Sequence, residues 1–216
     1  MEGRHGSELM SSTHMAAGFV ISGVLYRTLV QFSPPNARAG MMLLFPNVLI
    51  AGLAGGAFPD LDRLDRQVLC LRLVHRRTLH FLFGYAFTGG LVAALLPLFP
   101  EHAWLLGPLA GLLVSAGLHC LMDVYDGVQR GRPGALYEHV TGRWIRGRRL
   151  IPFGSAKEWV LYSAFSIGFL VFATYPTPIA VLGSDALNLS LVLYLVTWVP
   201  AVIYEWRFVL PKRRAT

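Results

Sequence analysis

The stretch WLLGPLAGLLVSAGLHCLMD, residues 104–123, decides the fold of this chain. Residues 104–118 carry no ionisable side chain, and His119 and Asp123 follow at the end of the stretch. An apolar segment of about 20 residues is long enough to cross the hydrocarbon core of a bilayer as an α-helix. The stretch therefore predicts a transmembrane helix that ends in a histidine and an aspartate.

The rest of the sequence has the same apolar character. Of the 216 residues, 54% are hydrophobic and only 14% are charged, and the mean hydropathy is +0.51. Soluble domains average about 25% charged residues. Apolar runs recur along the chain, so a signal peptide before a soluble domain does not explain them. We expect one integral-membrane domain over residues 1–216, an all-α bundle of transmembrane helices.

Six apolar segments predict six spans. Segments 40–58, 81–99 and 104–122 each approach the length that a bilayer requires. Segment 16–32 is shorter and contains Arg27. Segments 159–182 and 187–206 complete the set; YPTP interrupts the first of them at 175–178, and tryptophans at their ends are typical interface anchors.

The basic residues predict the orientation. Seventeen of the 19 basic residues precede the first segment, follow the last one, or lie in the loops 59–80 and 123–158. The only Lys or Arg in the opposite loops is Arg38; these loops are 33–39, 100–103 and 183–186. Because loops rich in Lys and Arg stay in the cytoplasm, both termini and the basic loop 123–158 are predicted to be cytoplasmic. The net charge of +7 then indicates topology and contact with lipid headgroups, not nucleic-acid binding.

Seven side chains with metal-ligand chemistry fall at the predicted cytoplasmic ends of the segments. They are His14, Asp60, Asp62, His75, His80, His119 and Asp123. The spans were predicted from apolarity and the orientation from the arginines. Neither step used these seven side chains, so their common position is independent support for a site. Imidazole and carboxylate ligands together suit zinc, manganese or iron, and seven candidates exceed the four ligands of one tetrahedral zinc. The sequence predicts a site for one or two such ions, with zinc favoured. The two cysteines, Cys70 and Cys120, form no CxxC pair and predict neither a disulfide nor a thiolate site.

The sequence spacing determines whether two ligand candidates on one helix can bind the same ion. His119 and Asp123 are four residues apart, which places them about 40° apart on a helix, where both can reach one ion. Ionisable residues in an apolar span are costly and are usually functional. His75 and His80 are five residues apart, about 140° on a continuous helix, so a shared ion requires a turn between them.

Simpler roles fit several of these polar residues. Asp60 and Asp62 project to one side of an extended turn, but they also suit the solvation of a helix end beside arginines. Single histidines near a membrane surface are usually solvated, so His5, His102 and His139 are given no role.

The elements His14, PDLD (59–62), HRRTLH (75–80), HCLMD (119–123) and RWIRGRRLIPFGSAKE (143–158) carry a resemblance in their order and spacing. They resemble the LexA-binding, inner-membrane-associated family of metal-dependent hydrolases, whose members have PDxDH, HRxxTHS and HxxxD elements and a basic stretch. The resemblance runs from about residue 14 to residue 158. Two departures matter: the histidine after PDxD is Arg63 here, and Phe81 replaces the serine of THS.

The resemblance implies a membrane-embedded hydrolase similar to zinc-dependent phospholipases C. Metal held by imidazoles and carboxylates would activate water and stabilise a phosphoryl transition state. Arg148 and Arg149 are the expected phosphate contacts, because a guanidinium matches phosphate oxygens in a bidentate manner. The catalytic candidates are His75, Arg76 and Glu158, with Glu158 either a further ligand or a general base. The expected substrate is a phosphoester of a lipid or lipid-linked molecule at the cytoplasmic face of the inner membrane.

Two other classes of protein stay open. A metal or proton transporter would use His and Asp in helices, but it needs ionisable residues near the midplane, and the centres of segments 40–58, 81–99 and 104–122 have none. A noncatalytic membrane scaffold that binds a regulator, which the LexA-binding name suggests, would not require seven metal-ligand candidates.

Overall fold

The computed structural model describes residues 11–63, 77–126 and 136–147, together with residues 150, 157–158, 160–161, 163–165, 167 and 203. The helices are α1 Ser11–Phe32, α2 Pro35–Met42, α3 Phe45–Ala57, α4 Leu82–Leu95 and α5 Ala103–Asp126, with 3-10 turns at Phe58–Arg63 and Pro100–His102. Two strands, β1 Leu136–Glu138 and β2 Arg143–Ile145, follow α5.

Membrane-type helices dominate the described part, as the sequence predicts. Helical stretches Thr13–Phe32 and Pro100–Tyr125 are long and apolar enough to cross a membrane, and the bent pair α2 and α3 makes up to three. The predicted segments 159–182 and 187–206 fall almost wholly outside the described residues. The number of six spans, the cytoplasmic termini and the single domain over 1–216 therefore stay predictions.

Segment 40–58, predicted as a span, is not one continuous helix. Helices α2 and α3 meet at an angle of 60°, with the break at Leu43 and Leu44. The cause is Pro46, which has no N–H to donate to the Met42 carbonyl and whose ring would clash with it in a continuous helix. The hydroxyl of Tyr26 on α1 donates to the Met41 carbonyl at 2.6 Å and holds the end of α2 near the break.

The first and third predicted spans also differ in length from the helices. Helix α1 has 22 residues and begins five residues before the predicted start at residue 16. Helix α4 has 14 residues and ends at Leu95, where segment 81–99 was expected to continue. Pro97 has no N–H for the Ala93 carbonyl, so the helical hydrogen bonds stop there.

Close packing of three helices brings their ends together. Helix α3 packs against α1 and α5, α1 also contacts α5, and α4 packs on α5. A Cβ at Gly55 would overlap the backbone of Leu112, and a Cβ at Gly56 would overlap the carbonyl of His14. Small residues let membrane helices approach this closely. The end of α3 therefore lies directly against the beginning of α1 and beside α5.

The all-α prediction is wrong for part of the basic loop 123–158. Strands β1 and β2 form an antiparallel hairpin in which Leu136 lies opposite Ile145 and Glu138 opposite Arg143. Gly142 adopts a φ of 63° in the turn, a conformation that a glycine adopts without strain. The loop also begins later than predicted, because α5 continues to Asp126.

Candidate metal centre

Five side chains of the metal-ligand type meet at one end of the helix bundle. They come from the beginning of α1, the 3-10 turn after α3, the position two residues before α4, and the last turns of α5: His14, Asp60, His80, His119 and Asp123. All but Asp60 are buried, and the side chain of Asp60 is only 10% exposed. Separate elements therefore deliver three imidazoles and two carboxylates into one small volume.

The carboxylate of Asp123 lies at the middle of this cluster. Its Oδ1 is 3.7 Å from Nε2 of His14, and its Oδ2 is 3.0 Å from Nε2 of His80. Oδ2 is also 3.5 Å from Nε2 of His119, one helical turn earlier on α5. The spacing of four residues thus brings the pair together as the helical geometry requires.

His119 also faces the second carboxylate. Its Nε2 lies 3.6 Å from Oδ1 of Asp60. Together with the contacts of Asp123 to His14 and His119, this gives three nitrogen to oxygen distances beyond the ~3.2 Å limit of a good N–H···O hydrogen bond. Two ligand atoms bound about 2.1 Å from one tetrahedral ion lie roughly 3.4 Å apart. These three distances therefore fit ligands that share a cation better than direct hydrogen bonds, whereas the 3.0 Å between His80 and Asp123 is a hydrogen-bond distance.

Two overlapping groups of three could hold an ion, and His119 belongs to both. One is His14, His119 and Asp123, and the other is Asp60, His80 and His119; within each group the ligand atoms lie within 4.8 Å of one another. Nδ1 of His119 is 2.6 Å from the Gly56 carbonyl. A neutral imidazole that donates from Nδ1 keeps its single lone pair on Nε2, which can bind one ion. The described residues therefore favour one ion at His119 over two ions that share it.

The imidazole rings are also in contact with one another. The rings of His14 and His119 stack with their centroids 3.9 Å apart and an angle of 26° between their planes, and the His80 ring meets His119 edge-on at 5.3 Å. Three buried imidazoles in contact would repel one another if all were protonated, whereas the neutral form that binds metal avoids this cost. The donor set and its packing fit a transition metal.

Glu158 lies beside the cluster. Its buried carboxylate accepts a hydrogen bond from Oγ1 of Thr13 at 3.1 Å, and Thr13 directly precedes His14. The structure therefore places this predicted residue next to a ligand candidate, although Glu158 is in neither group of three.

Five of the other predicted positions are not placed by the structure. His75, Arg76, Arg148 and Arg149 lie outside the described residues. Asp62 is in the 3-10 turn with Asp60, but its side chain is not described. Their predicted roles stay predictions.

Glu138 is a buried carboxylate near the centre that the sequence analysis did not identify. Its Oε2 accepts a hydrogen bond from the backbone N–H of Phe83 at 3.3 Å, and its Oε1 accepts one from the N–H of Val140 at 3.0 Å. Phe83 is in the first turn of α4, whose N-cap residue Phe81 makes no side-chain cap. The glutamate thus caps the helix that follows His80, which favours a negative charge at that end. The signal for the hairpin that carries it was the stretch LYEHVTGRWI, in which a glycine lies between two short runs rich in aromatic and β-branched residues.

A comparison with known families decides the membership of the chain. The model of a family described as YdjM inner membrane protein matches residues 9–207. The chain belongs to the YdjM family. The match spans the whole cluster, from α1 to α5, and also the apolar segments that follow residue 158. Together with the apolar helices, membership in the YdjM family makes this chain an inner-membrane protein. No curated protein and no solved structure matches the chain.

Proposed function

We propose that this YdjM-family chain is a metal-dependent hydrolase that cleaves a phosphoester of a lipid or lipid-linked substrate at the membrane surface. One observation supports the proposal most strongly: three imidazoles and two carboxylates converge at ligand-to-ligand distances, with Asp123 within 3.0–3.7 Å of three histidines. Such a donor set suits zinc, manganese or iron.

The residues of the cluster have distinct roles in this mechanism. When bound, the ion supplies Lewis acidity to a phosphoryl oxygen and acidifies a water molecule. The Gly56 carbonyl orients His119, so Nε2 of His119 would hold the ion. Asp60 and Asp123 would supply negative charge that offsets the cation. Glu158 accepts a hydrogen bond from Thr13, the residue before His14, and is the proposed acceptor of a proton from the attacking water.

The position of the cluster indicates the class of substrate. The ligand candidates lie at one end of apolar helices, the level at which lipid headgroups lie, whereas a soluble substrate needs no such position. Arg76, Arg148 and Arg149 belong to the same predicted side and are proposed to bind the phosphate. A phospholipid or a lipid phosphate has its headgroup at this level and carries a phosphate for the arginines.

Turnover of phospholipids and lipid phosphates, with metal added or chelated, tests this function. In Asp123→Ala the cluster loses the carboxylate that contacts three histidines, so metal-dependent release of phosphate or headgroup should fall at least 100-fold, as expected for the loss of a catalytic metal ligand. The matched control is Glu101→Ala, which removes an exposed carboxylate at the opposite end of the bundle and should leave turnover unchanged. Wild-type turnover in Asp123→Ala, or activity indifferent to chelation, would exclude this mechanism. Metal flux into liposomes without hydrolysis would favour a transporter, and metal-free, inactive protein would favour a scaffold.

A further inference from the structure

We propose that the outer face of the hairpin is the binding surface for the substrate headgroup and that it selects anionic phospholipids over phosphatidylcholine. This surface, the hairpin face, consists of Arg77, Phe81, Tyr137, His139 and Trp144. The inference rests on the proposed function in one respect, that the bound lipid is the substrate, and it specifies the headgroup class of that lipid.

Two hydrogen bonds tie the hairpin and Leu150, which follows it, to the ends of two apolar helices. Glu138 accepts from the N–H of Phe83 in the first turn of α4, and the N–H of Leu150 donates to the carbonyl of Tyr125 near the end of α5 at 3.0 Å. Further along α4, the side chain of Phe87 is 76% exposed, as expected for a helix surface that faces lipid. Because the hairpin is held where two apolar helices begin and end, it lies at the level of the headgroups.

A continuous row of aromatic rings leads from the metal centre to this surface. The ring of Phe81, which directly follows His80, is 5.0 Å from the His139 ring, and His139 is 5.3 Å from Tyr137. Tyr137 in turn pairs across the strands with Trp144 at 5.6 Å. Aromatic side chains with a polar edge are enriched at the boundary between membrane and water. The row therefore forms a path at headgroup depth that begins one residue from a ligand candidate.

The charge of the hairpin face sets its selectivity. The guanidinium of Arg77 lies 4.7 Å from the centroid of the Tyr137 ring, which holds the exposed side chain over the aromatic row. Arg143 and Arg146 are also exposed on the hairpin, and among the described residues no carboxylate forms an ion pair with any of the three arginines. A guanidinium matches phosphate oxygens, and because it covers the Tyr137 ring it leaves that face closed to the quaternary ammonium of choline. The three arginines therefore attract an anionic headgroup, and Arg77 keeps choline from the Tyr137 ring.

The test measures lipid binding in protein freed of metal by chelation, so that it does not depend on catalysis. Dioctanoyl phosphatidylglycerol and dioctanoyl phosphatidylcholine are titrated into the detergent-purified chain and the dissociation constants compared. We expect phosphatidylglycerol to bind at least roughly fivefold more tightly, since one arginine near a headgroup contributes about that factor. Arg77→Ala should remove this difference, because phosphatidylglycerol loses its guanidinium contact and the uncovered Tyr137 ring becomes open to choline.

Two further variants keep the result specific. Arg38→Ala also removes one positive charge, but from the opposite end of the bundle, where Arg38 donates to the carbonyls of Ser33 and Gln31, and it should not change the selectivity. Tyr137→Leu keeps the arginine but removes the ring under it, and should weaken phosphatidylglycerol binding. Equal affinity for the two lipids, an unchanged Arg77→Ala variant, or displacement of the lipid by equimolar inorganic phosphate would overturn the inference. Selective binding by a protein that hydrolyses no phosphoester would support the hairpin face and overturn the proposed function.

Discussion

At the scale of single residues, Gly56 contacts two ligand candidates of the metal centre, His119 and His14. Its carbonyl lies 2.6 Å from Nδ1 of His119, and a Cβ at this position would overlap the carbonyl of His14. We predict that Gly56→Ala pushes α1 away from α3, which should cost about 1–3 kcal/mol of stability, as overpacking does elsewhere. Because the orienting carbonyl moves as well, metal affinity should fall about 10–100-fold. Thermal unfolding in detergent and metal titration measure the two effects.

Gly40→Ala is the matched control for this substitution. A Cβ at Gly40 meets no atom within 4 Å, so the variant should leave the metal affinity unchanged and should not lower the melting temperature. If Gly56→Ala bound metal as the wild type does, the proposed orientation of His119 would be wrong.

The sequence predicts contacts between residues that are close together along the chain better than contacts between distant residues. The proximity of His119 and Asp123 follows from their spacing on a helix, and the structure places them together. The position of His14 follows only from the predicted spans, because nothing near it in the sequence marks it. Glu138 was not identified, since its partner Phe83 is 55 residues away and belongs to an element that local patterns do not connect with the hairpin.

At the scale of elements, Glu138 connects the hairpin to α4. Replacement by Ala removes the acceptor for the N–H groups of Phe83 and Val140, both in part-buried hydrogen bonds to the carboxylate. We predict that Glu138→Ala lowers the stability of this junction by about 1 kcal/mol, near the lower end of the cost of leaving donors without an acceptor. Amide hydrogen exchange at Phe83 and in strands β1 and β2 should accelerate accordingly.

Glu138→Gln serves as the conservative comparison. Its amide oxygen can replace one of the two carboxylate acceptors, so exchange should be intermediate between Ala and wild type. Unchanged exchange at Phe83 in Glu138→Ala would show that another contact holds the hairpin in place.

The elements themselves show where apolar patterns fail. Hydropathy predicts the positions of apolar segments. It does not predict that Pro46 interrupts the helix in segment 40–58 or that Pro97 shortens the helix in segment 81–99. The hairpin was missed because the basic composition of 123–158 was interpreted as a loop, although aromatic and β-branched residues flank Gly142 on both sides. Backbone hydrogen bonding, more than apolarity, decides these boundaries.

At the scale of the whole molecule, the topology is the prediction on which the function depends. Reporter fusions between residues 127 and 135 and after residue 216 should both report the cytoplasm, because seventeen of the 19 basic residues fall on the predicted cytoplasmic side. A fusion after Pro34, between α1 and α2, should report the opposite side. Equal signals from residue 34 and from the fusion between residues 127 and 135 would contradict the predicted orientation and the access of cytoplasmic-leaflet lipids to the site.

The metal content of the intact chain bears most directly on the proposed function. Wild-type protein purified in detergent without chelators should contain about one transition-metal ion per chain by elemental analysis, because His119 is common to both groups of ligands. His119→Ala, which removes the ligand common to both groups of three, should lose the ion, whereas His102→Ala, at the exposed opposite end, should retain it. Folded wild-type protein that contains no metal, or a His119→Ala variant with full metal content, would contradict the proposed site.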